Sequence, residues 1–236
     1  MIKIDIWTDF VCEYCYIGKK ELQRAIEKLI LDTQIEMHYK AFELMPDAPV
    51  EREQKMVEAM TQIIGKPLEV IQEMLKGPIE RAESLGITIR YDDLFAQNTN
   101  KAHRVAKYAA ELGKANEYTE ALFYSIFTEN KFLADTDTLI EVTEKLGLES
   151  NKVCEIAADE NRYKVEVMQD MELARMYRVT GVPFYVFNDK YAVSGAQPME
   201  VFVQVLEKLQ DELGLKPKLQ VIGQEGTICG PNGCDI

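Results

Sequence analysis

Asp9-Phe10-Val11-Cys12-Glu13-Tyr14-Cys15-Tyr16-Ile17-Gly18 is the stretch on which the fold turns. Ahead of it, Ile2, Ile4 and Ile6 alternate with Lys3, Asp5 and Trp7, the two-residue period of a strand over about residues 2–8. Behind it, Leu22, Ala25, Ile26, Leu29 and Ile30 recur at helical spacing, so a helix follows the two cysteines directly. Ile35, Met37, Tyr39 and Ala41 then alternate with Glu36, His38 and Lys40 as a second strand. A Cys-x-x-Cys pair therefore stands where a strand hands over to a helix.

That placement matters chemically. A thiolate attacks disulfides and a thiol barely does, so a redox cysteine needs help to ionise. Unpaired N–H groups and the dipole at a helix N-terminus supply it. Cys12 sits at the junction and reads as the nucleophile; Cys15, one turn further on the same face, reads as the resolving thiol. Glu13 opposes the dipole by placing a negative charge beside Cys12, which makes the dithiol less oxidising than one with a neutral or cationic spacer. Asp9 is the nearest carboxylate that could carry a proton for Cys15, and it reads equally well as a turn former at the strand end. A zinc knuckle with this cysteine spacing belongs on a hairpin turn rather than ahead of a long amphipathic helix, so redox chemistry is favoured over metal.

Further along, strand patterns nearly vanish from about Pro49 to Arg178. Pro67 and Pro78 are placed as helix starts, and Gly86 and Gly113 as stops. Asp137 is expected to cap a helix holding Leu139, Ile140, Val142 and Leu146, and Ser150 to open the next. Cys154, beside Val153, is expected to be buried, and Met56, Met60, Met74, Met168, Met171 and Met176 mostly to fill core gaps. Strands return after Gly181: Phe184–Phe187 and Tyr191–Val193 form a hairpin around Asn188-Asp189, and Pro198 starts a helix that Gly214 ends. Thr180-Gly181-Val182-Pro183 lies about 170 residues after Cys12. A proline directly ahead of an apolar strand cannot be an ordinary ladder residue. A cis bond there would expose the Val182 backbone to an extended substrate beside Cys12.

Composition bounds the rest. The 236 residues carry 27 basic and 40 acidic side chains, a net charge of −13, and 47% are apolar. A chain this acidic with no basic patch is expected to bind neither nucleic acid nor anionic membranes. No apolar run exceeds four residues, against about 20 for a membrane span. The strand-like start shows no export signal, so cytoplasmic residence is expected. Two histidines, with His38 on the polar face of its strand, make no case for a catalytic metal. Cys229-Gly230-Pro231-Asn232-Gly233-Cys234 sets a turn between two further cysteines, an auxiliary pair that could exchange disulfides with Cys12 and Cys15 or shield them. A tail with incidental cysteines, or a zinc site, are the rival readings.

Taken with Thr180-Gly181-Val182-Pro183-Phe184, Ser194-Gly195-Ala196-Gln197 and Asn98-Thr99-Asn100-Lys101-Ala102-His103-Arg104, the cysteine stretch resembles the DsbA superfamily, and within it the FrnE-like dithiol-disulfide isomerases. The resemblance implies an α/β thioredoxin fold with an inserted all-helical domain. On that basis residues 1–48 and 164–214 form the thioredoxin-fold parts, 49–163 the insertion and 215–236 a cysteine-containing tail. It implies Cys12 as nucleophile, Cys15 as resolving thiol, Pro183 as the cis-proline, and a cleft in which Val182, Tyr14 and His103 meet substrate. Protein or small-molecule disulfides and thiols are the implied partners. Relatives carry proline where Glu13 stands, so their redox poise does not transfer. A sister branch, the kappa-class glutathione transferases and 2-hydroxychromene-2-carboxylate isomerases, typically has serine at the Cys12 position. It leaves glutathione open as a co-substrate; no other cofactor is expected. A glutathione-dependent transferase or isomerase is thus the enzymatic alternative to a thiol-disulfide oxidoreductase or isomerase, and a non-catalytic holdase the alternative from outside enzymes. Oligomeric state is not readable.

Overall fold

The computed structural model describes residues 1–31 and 34–215, with the backbone of 229–230 and 233–234. Strands β1 (Ile2–Thr8), β2 (Ile35–Ala41), β3 (Phe184–Phe187) and β4 (Tyr191–Ser194) form one sheet in the order β2-β1-β3-β4. β1 pairs parallel with β2 and antiparallel with β3, which pairs antiparallel with β4. The parallel β1–β2 pair needs a crossover, and helix α1 (Glu13–Leu29) supplies it.

The alternation along β1 feeds two layers. Ile2, Ile4 and Ile6 join Leu22, Ala25 and Ile26 of α1 and Phe202, Leu206 and Leu209 of the helix that follows β4 in one core. Trp7 points the other way, onto Ala174, Val179 and Val186. There its indole Nε1 donates to the Asp170 carbonyl at 2.9 Å, while the Asp170 carboxylate accepts from Ala41 N at 2.7 Å and from Lys107. Asp170 belongs to α8 (Lys164–Met176), so the sheet lies between α8 on one face and α1 with α9 (Met199–Leu213) on the other.

Between β2 and α8 come α2 (Met56–Ile64), α3 (Leu68–Ser84), α4 (Asn100–Glu111), α5 (Ala115–Phe127), α6 (Thr136–Glu144) and α7 (Ser150–Ala158). Their core is continuous with the start of α1. Phe10, Val11, Cys12, Cys15, Tyr16 and Ile17 pack into it, and Tyr16 stacks on Phe123 at 5.1 Å between centroids. Arg104 is buried with its charge spent on the carbonyls of Ile156 and Asp159. Arg81 on α3 reaches back to the Ala196 carbonyl at 2.6 Å, the Gln197 carbonyl at 3.1 Å and Glu21 on α1 at 3.2 Å.

Four expectations need correction. Pro78 does not start a helix; α3 runs straight through it. Ile71, Leu75, Pro78 and Ala82 form one unbroken buried stripe, and its packing outweighs the roughly 3 kcal/mol a mid-helix proline costs. Asp137 lies in the first turn of α6, whose cap is Asp135. Cys154 is exposed, because Val153 and Ile156 take the inner face of α7 and the next residue around the helix turns outward. Met74, Met168 and Met176 are exposed as well, leaving Met56 as the fully buried member of that set.

Candidate active site

Cys12 caps α1 with extended backbone (φ −98°, ψ 108°), and its side chain makes no capping hydrogen bond. The turn that delivers it is closed by Cys12 N donating to the Asp9 carbonyl at 3.2 Å and Cys15 N donating to the Cys12 carbonyl at 3.0 Å. Cys12 and Cys15 are both free thiols and both buried, whereas Tyr14 between them is 42% exposed. Across 170 residues of chain, Cys12 Sγ donates to the Val182 carbonyl at 3.6 Å. The Val182–Pro183 peptide bond is cis, and Gly195 N donates to the Pro183 carbonyl at 2.8 Å, which anchors this loop to the end of β4.

Gly18 makes that juxtaposition sterically feasible. It lies three residues beyond Cys15 on α1. A methyl group there would stand 2.3 Å from Tyr185 Oη and 3.1 Å from Pro183 Cγ. Tyr185 is fully buried and cannot swing away. Gly18→Ala is therefore expected to cost stability by about 1–3 kcal/mol, the usual range for overpacking, and to push Pro183 away from α1. A thermal melt and the alkylation rate of Cys12 read the two effects; an unchanged melt with an unchanged rate would contradict this packing.

Electrostatics at the dithiol run against easy ionisation. The Cys12 thiol is pushed well above the usual cysteine range, first by its interaction with the Cys15 thiol, then by burial, with the Cys15 and Glu13 charges adding to it. Burial raises Glu13 too. The phenol of Tyr91 is raised by burial and by the field of Glu13. The helix N-terminus thus faces a thiol pair and a carboxylate that hold the proton on sulfur.

Asp9 is fully buried. Its Oδ2 accepts from Leu44 N at 2.7 Å, and its Oδ1 lies 3.5 Å from His103 Nε2. His103 itself is buried on α4 with its ring 4.7 Å from that of Phe10. The structure brings Asp9 and His103 together next to the cysteine turn, and sets Val182 beside the Cys12 sulfur. Sequence reading gave no reason for Gly18, and it missed Tyr91 and Arg81 altogether. Gly18 lies in the second turn of α1, where a glycine is itself the signal; Tyr91 and Arg81 carry none. Among the described residues no three His, Cys, Asp or Glu side chains group as a metal site. Cys229 pairs with Cys234 in the two-residue strands β5 (Cys229–Gly230) and β6 (Gly233–Cys234). The turn expected at Pro231-Asn232 and the thiols of both cysteines lie outside the described residues.

Comparison with known proteins meets this geometry. Residues 3–207 match the DSBA-like thioredoxin domain family. The chain belongs to that family. A probable DsbA oxidoreductase from Streptomyces coelicolor is 30% identical, with a TM-score of 0.83 over 100% of this chain and 99% of its own. YwbO of Bacillus subtilis (strain 168) is 25% identical over 221 residues, 89% of this chain and 98% of that protein. Two further structures share the fold alone. A 2-hydroxychromene-2-carboxylate isomerase is 18% identical at a TM-score of 0.65, over 91% of this chain and 100% of its own. The cytosolic disulfide reductase DsbM from Pseudomonas aeruginosa, solved with GSH, is 14% identical at 0.61, over 89% of this chain and 99% of its own. The DsbA-like architecture expected from the sequence is therefore shown: a thioredoxin-type sheet with helices placed between its second and third strands. The DsbA-like fold is that of thiol-disulfide oxidoreductases and of related isomerases and transferases. No helix among the described residues is long and apolar enough to cross a membrane.

Proposed function

We propose that the protein is a thiol-disulfide oxidoreductase or isomerase, working in the FrnE-like manner through Cys12 and Cys15. The observation that carries this reading is the placement of Cys12 at the N-cap of α1 with its sulfur 3.6 Å from the Val182 carbonyl. Ionised Cys12 attacks one sulfur of a substrate disulfide, forming a mixed disulfide and releasing the other sulfur as a thiolate. Cys15, deprotonated in turn, attacks Cys12 Sγ; the Cys12–Cys15 disulfide forms and the second substrate thiolate leaves. Two electrons pass from dithiol to substrate, and the two cysteine protons end on the released thiols. Asp9 is the carboxylate assigned to take up the Cys15 proton. Isomerisation follows where the released substrate thiolate attacks the mixed disulfide before Cys15 does. Continued reduction draws on a second thiol or dithiol as reductant, which fits a cytoplasmic setting.

Direction follows from electrostatics. A strongly oxidising dithiol owes its potential to a stabilised thiolate. Here the raised Cys12 thiol and the adjacent Glu13 withhold that stabilisation, which favours reduction or isomerisation over net oxidation. The opposed backbone positions of Cys229 and Cys234 support a second, auxiliary redox pair that exchanges with Cys12 and Cys15.

Insulin reduction by dithiothreitol, followed by turbidity, tests the proposal. Wild type is expected to accelerate it, Cys12→Ser to lose the acceleration entirely, and the doubly substituted Cys229→Ser/Cys234→Ser chain to change its rate. Equal rates for wild type and Cys12→Ser would overturn the central reading, and unchanged kinetics in the double variant the auxiliary one. An inactive wild type that conjugates or isomerises small molecules with glutathione would move the protein to the transferase branch.

A further inference from the structure

A buried polar atom without a partner is rare in a folded protein and calls for a reason. Among the described residues Tyr185 Oη is such an atom. Tyr185 lies on β3, two residues after the cis-proline, and is fully buried. Its ring is clamped, edge-on to Phe202 at 4.9 Å between centroids and stacked on Phe187 at 6.5 Å. A phenylalanine would fill the same space without stranding a hydroxyl. What the hydroxyl adds is a donor held against α1.

Gly18 fixes its place on that helix. Tyr185 Oη occupies the point where a Cβ on Gly18 would stand. Cβ atoms tilt toward the N-terminus of a helix, and those three residues apart lie about 5–6 Å from each other on one face. The hydroxyl therefore lies over the turn of α1 that holds Cys15. Of the charges that act on the phenol, that of Cys15 weighs most, ahead of Tyr39 on β2 and Cys12, with Arg81 on α3 opposing them. Cys15 lacks a donor at one stage of the reaction. Its own N–H already donates to the Cys12 carbonyl. In the dithiol the Cys12 thiol interacts with it, but once Cys12 carries substrate that sulfur has no proton to give.

We propose that the Tyr185 phenol is the hydrogen-bond donor that stabilises the Cys15 thiolate in the mixed disulfide. The proposal rests on the thiol-disulfide reading above and adds a catalytic residue to it. Asp9 takes the Cys15 proton. The phenol keeps its own, because burial pushes it well above the ordinary tyrosine range, and it donates a hydrogen bond to the sulfur left charged. Cys15 then attacks Cys12 Sγ. The Cys12–Cys15 bond forms, and the bond to substrate breaks with its electron pair leaving on the substrate sulfur. The hydroxyl is again without a partner.

Tyr185→Phe removes the donor and keeps the ring. In full-length chains whose Cys154, Cys229 and Cys234 are replaced by serine, Cys12 is loaded in mild acid with 2,2′-dithiodipyridine. A jump to higher pH then lets Cys15 expel pyridine-2-thione, which is followed by its absorbance. At neutral pH the variant is expected to resolve about three- to tenfold more slowly, the worth of a hydrogen bond to a charged group after about half of the gain in ionisation is returned as lower nucleophilicity. The gap should close as pH rises, because Cys15 then ionises without help. Equal rates at neutral pH would overturn the inference while leaving the redox function standing. So would slowing by one factor at every pH, the mark of a packing defect. A chain that never closes the Cys12–Cys15 disulfide ends the redox reading instead, and the contact is then read by NMR. The Cζ resonance of Tyr185, identified by its loss in Tyr185→Phe, should move with pH in reduced Cys12→Ser. It should stay fixed in Cys12→Ser/Cys15→Ser, which retains Asp9, Glu13, Tyr39, Arg81 and His103. No movement, or the same movement without Cys15, refutes the contact.

Discussion

Cys15→Ser is expected to convert the protein from a catalyst into a stoichiometric trap. Cys12 retains its place at the N-cap and its contact with the Val182 carbonyl, so the first exchange still runs and a mixed disulfide forms. The resolving thiol is gone, and the covalent complex persists until an external thiol frees it. Incubation with oxidised insulin or with a cystine peptide should yield one substrate chain bound per protein, visible by mass spectrometry and reversed by dithiothreitol. The same substitution acts on Cys12 itself. Its thiol is held protonated first by the Cys15 thiol; a serine hydroxyl does not ionise in this range, so the coulombic part of that effect disappears and Cys12 ionises at lower pH. Iodoacetamide should accordingly alkylate Cys12 in Cys15→Ser faster at neutral pH than in reduced wild type. A variant that forms no adduct, or one in which Cys15 proves to be the alkylated thiol in wild type, would reverse the assignment of the two roles.

The reasons some of this was legible in the sequence, and some not, are local against non-local. The change from a two-residue period at Ile2, Ile4 and Ile6 to a helical one at Leu22, Ala25 and Ile26 is written into neighbouring residues, and the sheet and α1 follow from it. Gly-Val-Pro ahead of Phe184–Phe187 is equally local. Pro78 misleads because its own side chain sits on the buried stripe of α3; whether tertiary packing overrides a breaker is not a property of the window around it. Cys154 misleads because a cysteine next to a buried valine still has a rotation of about 100° between them on a helix. The candidate site is harder still. Asp9 and His103 lie 94 residues apart and meet only because α4 packs behind the cysteine turn. Tyr91 reaches Glu13 from an irregular segment between α3 and α4, where no periodicity exists to read. Arg81, on α3, finds Ala196 and Gln197 in the segment between β4 and α9 and Glu21 on α1. A sequence supplies the groups that react, and the packing decides what surrounds them.

Asp9 offers the second large effect, because four parts of the molecule meet at it. Its carbonyl holds Cys12 N, its Oδ2 holds Leu44 N in the segment after β2, and its Oδ1 faces His103 on α4, all from the end of β1. Asp9→Ala removes the acceptor for the part-buried Leu44 N–H and leaves the buried His103 Nε2 without the carboxylate it faces. Each stranded polar group costs roughly 1–3 kcal/mol, so a total of about 3 kcal/mol is expected, together with loss of insulin reduction. In a chain of this size about 3 kcal/mol lowers Tm by roughly 6–12 °C. Asp9→Asn separates structure from chemistry. Its amide oxygen still accepts from Leu44 N, so most of the melting temperature should return. It cannot take up a proton, so resolution of the mixed disulfide by Cys15 should stay slow even though the fold is restored. Rapid acid quenching after mixing with a cystine peptide would show this as accumulated mixed disulfide in Asp9→Asn and none in wild type. If Asp9→Asn resolves the mixed disulfide as fast as wild type, Asp9 is a turn and capping residue with no part in proton transfer, and the base for Cys15 has to be sought in solvent or in His103.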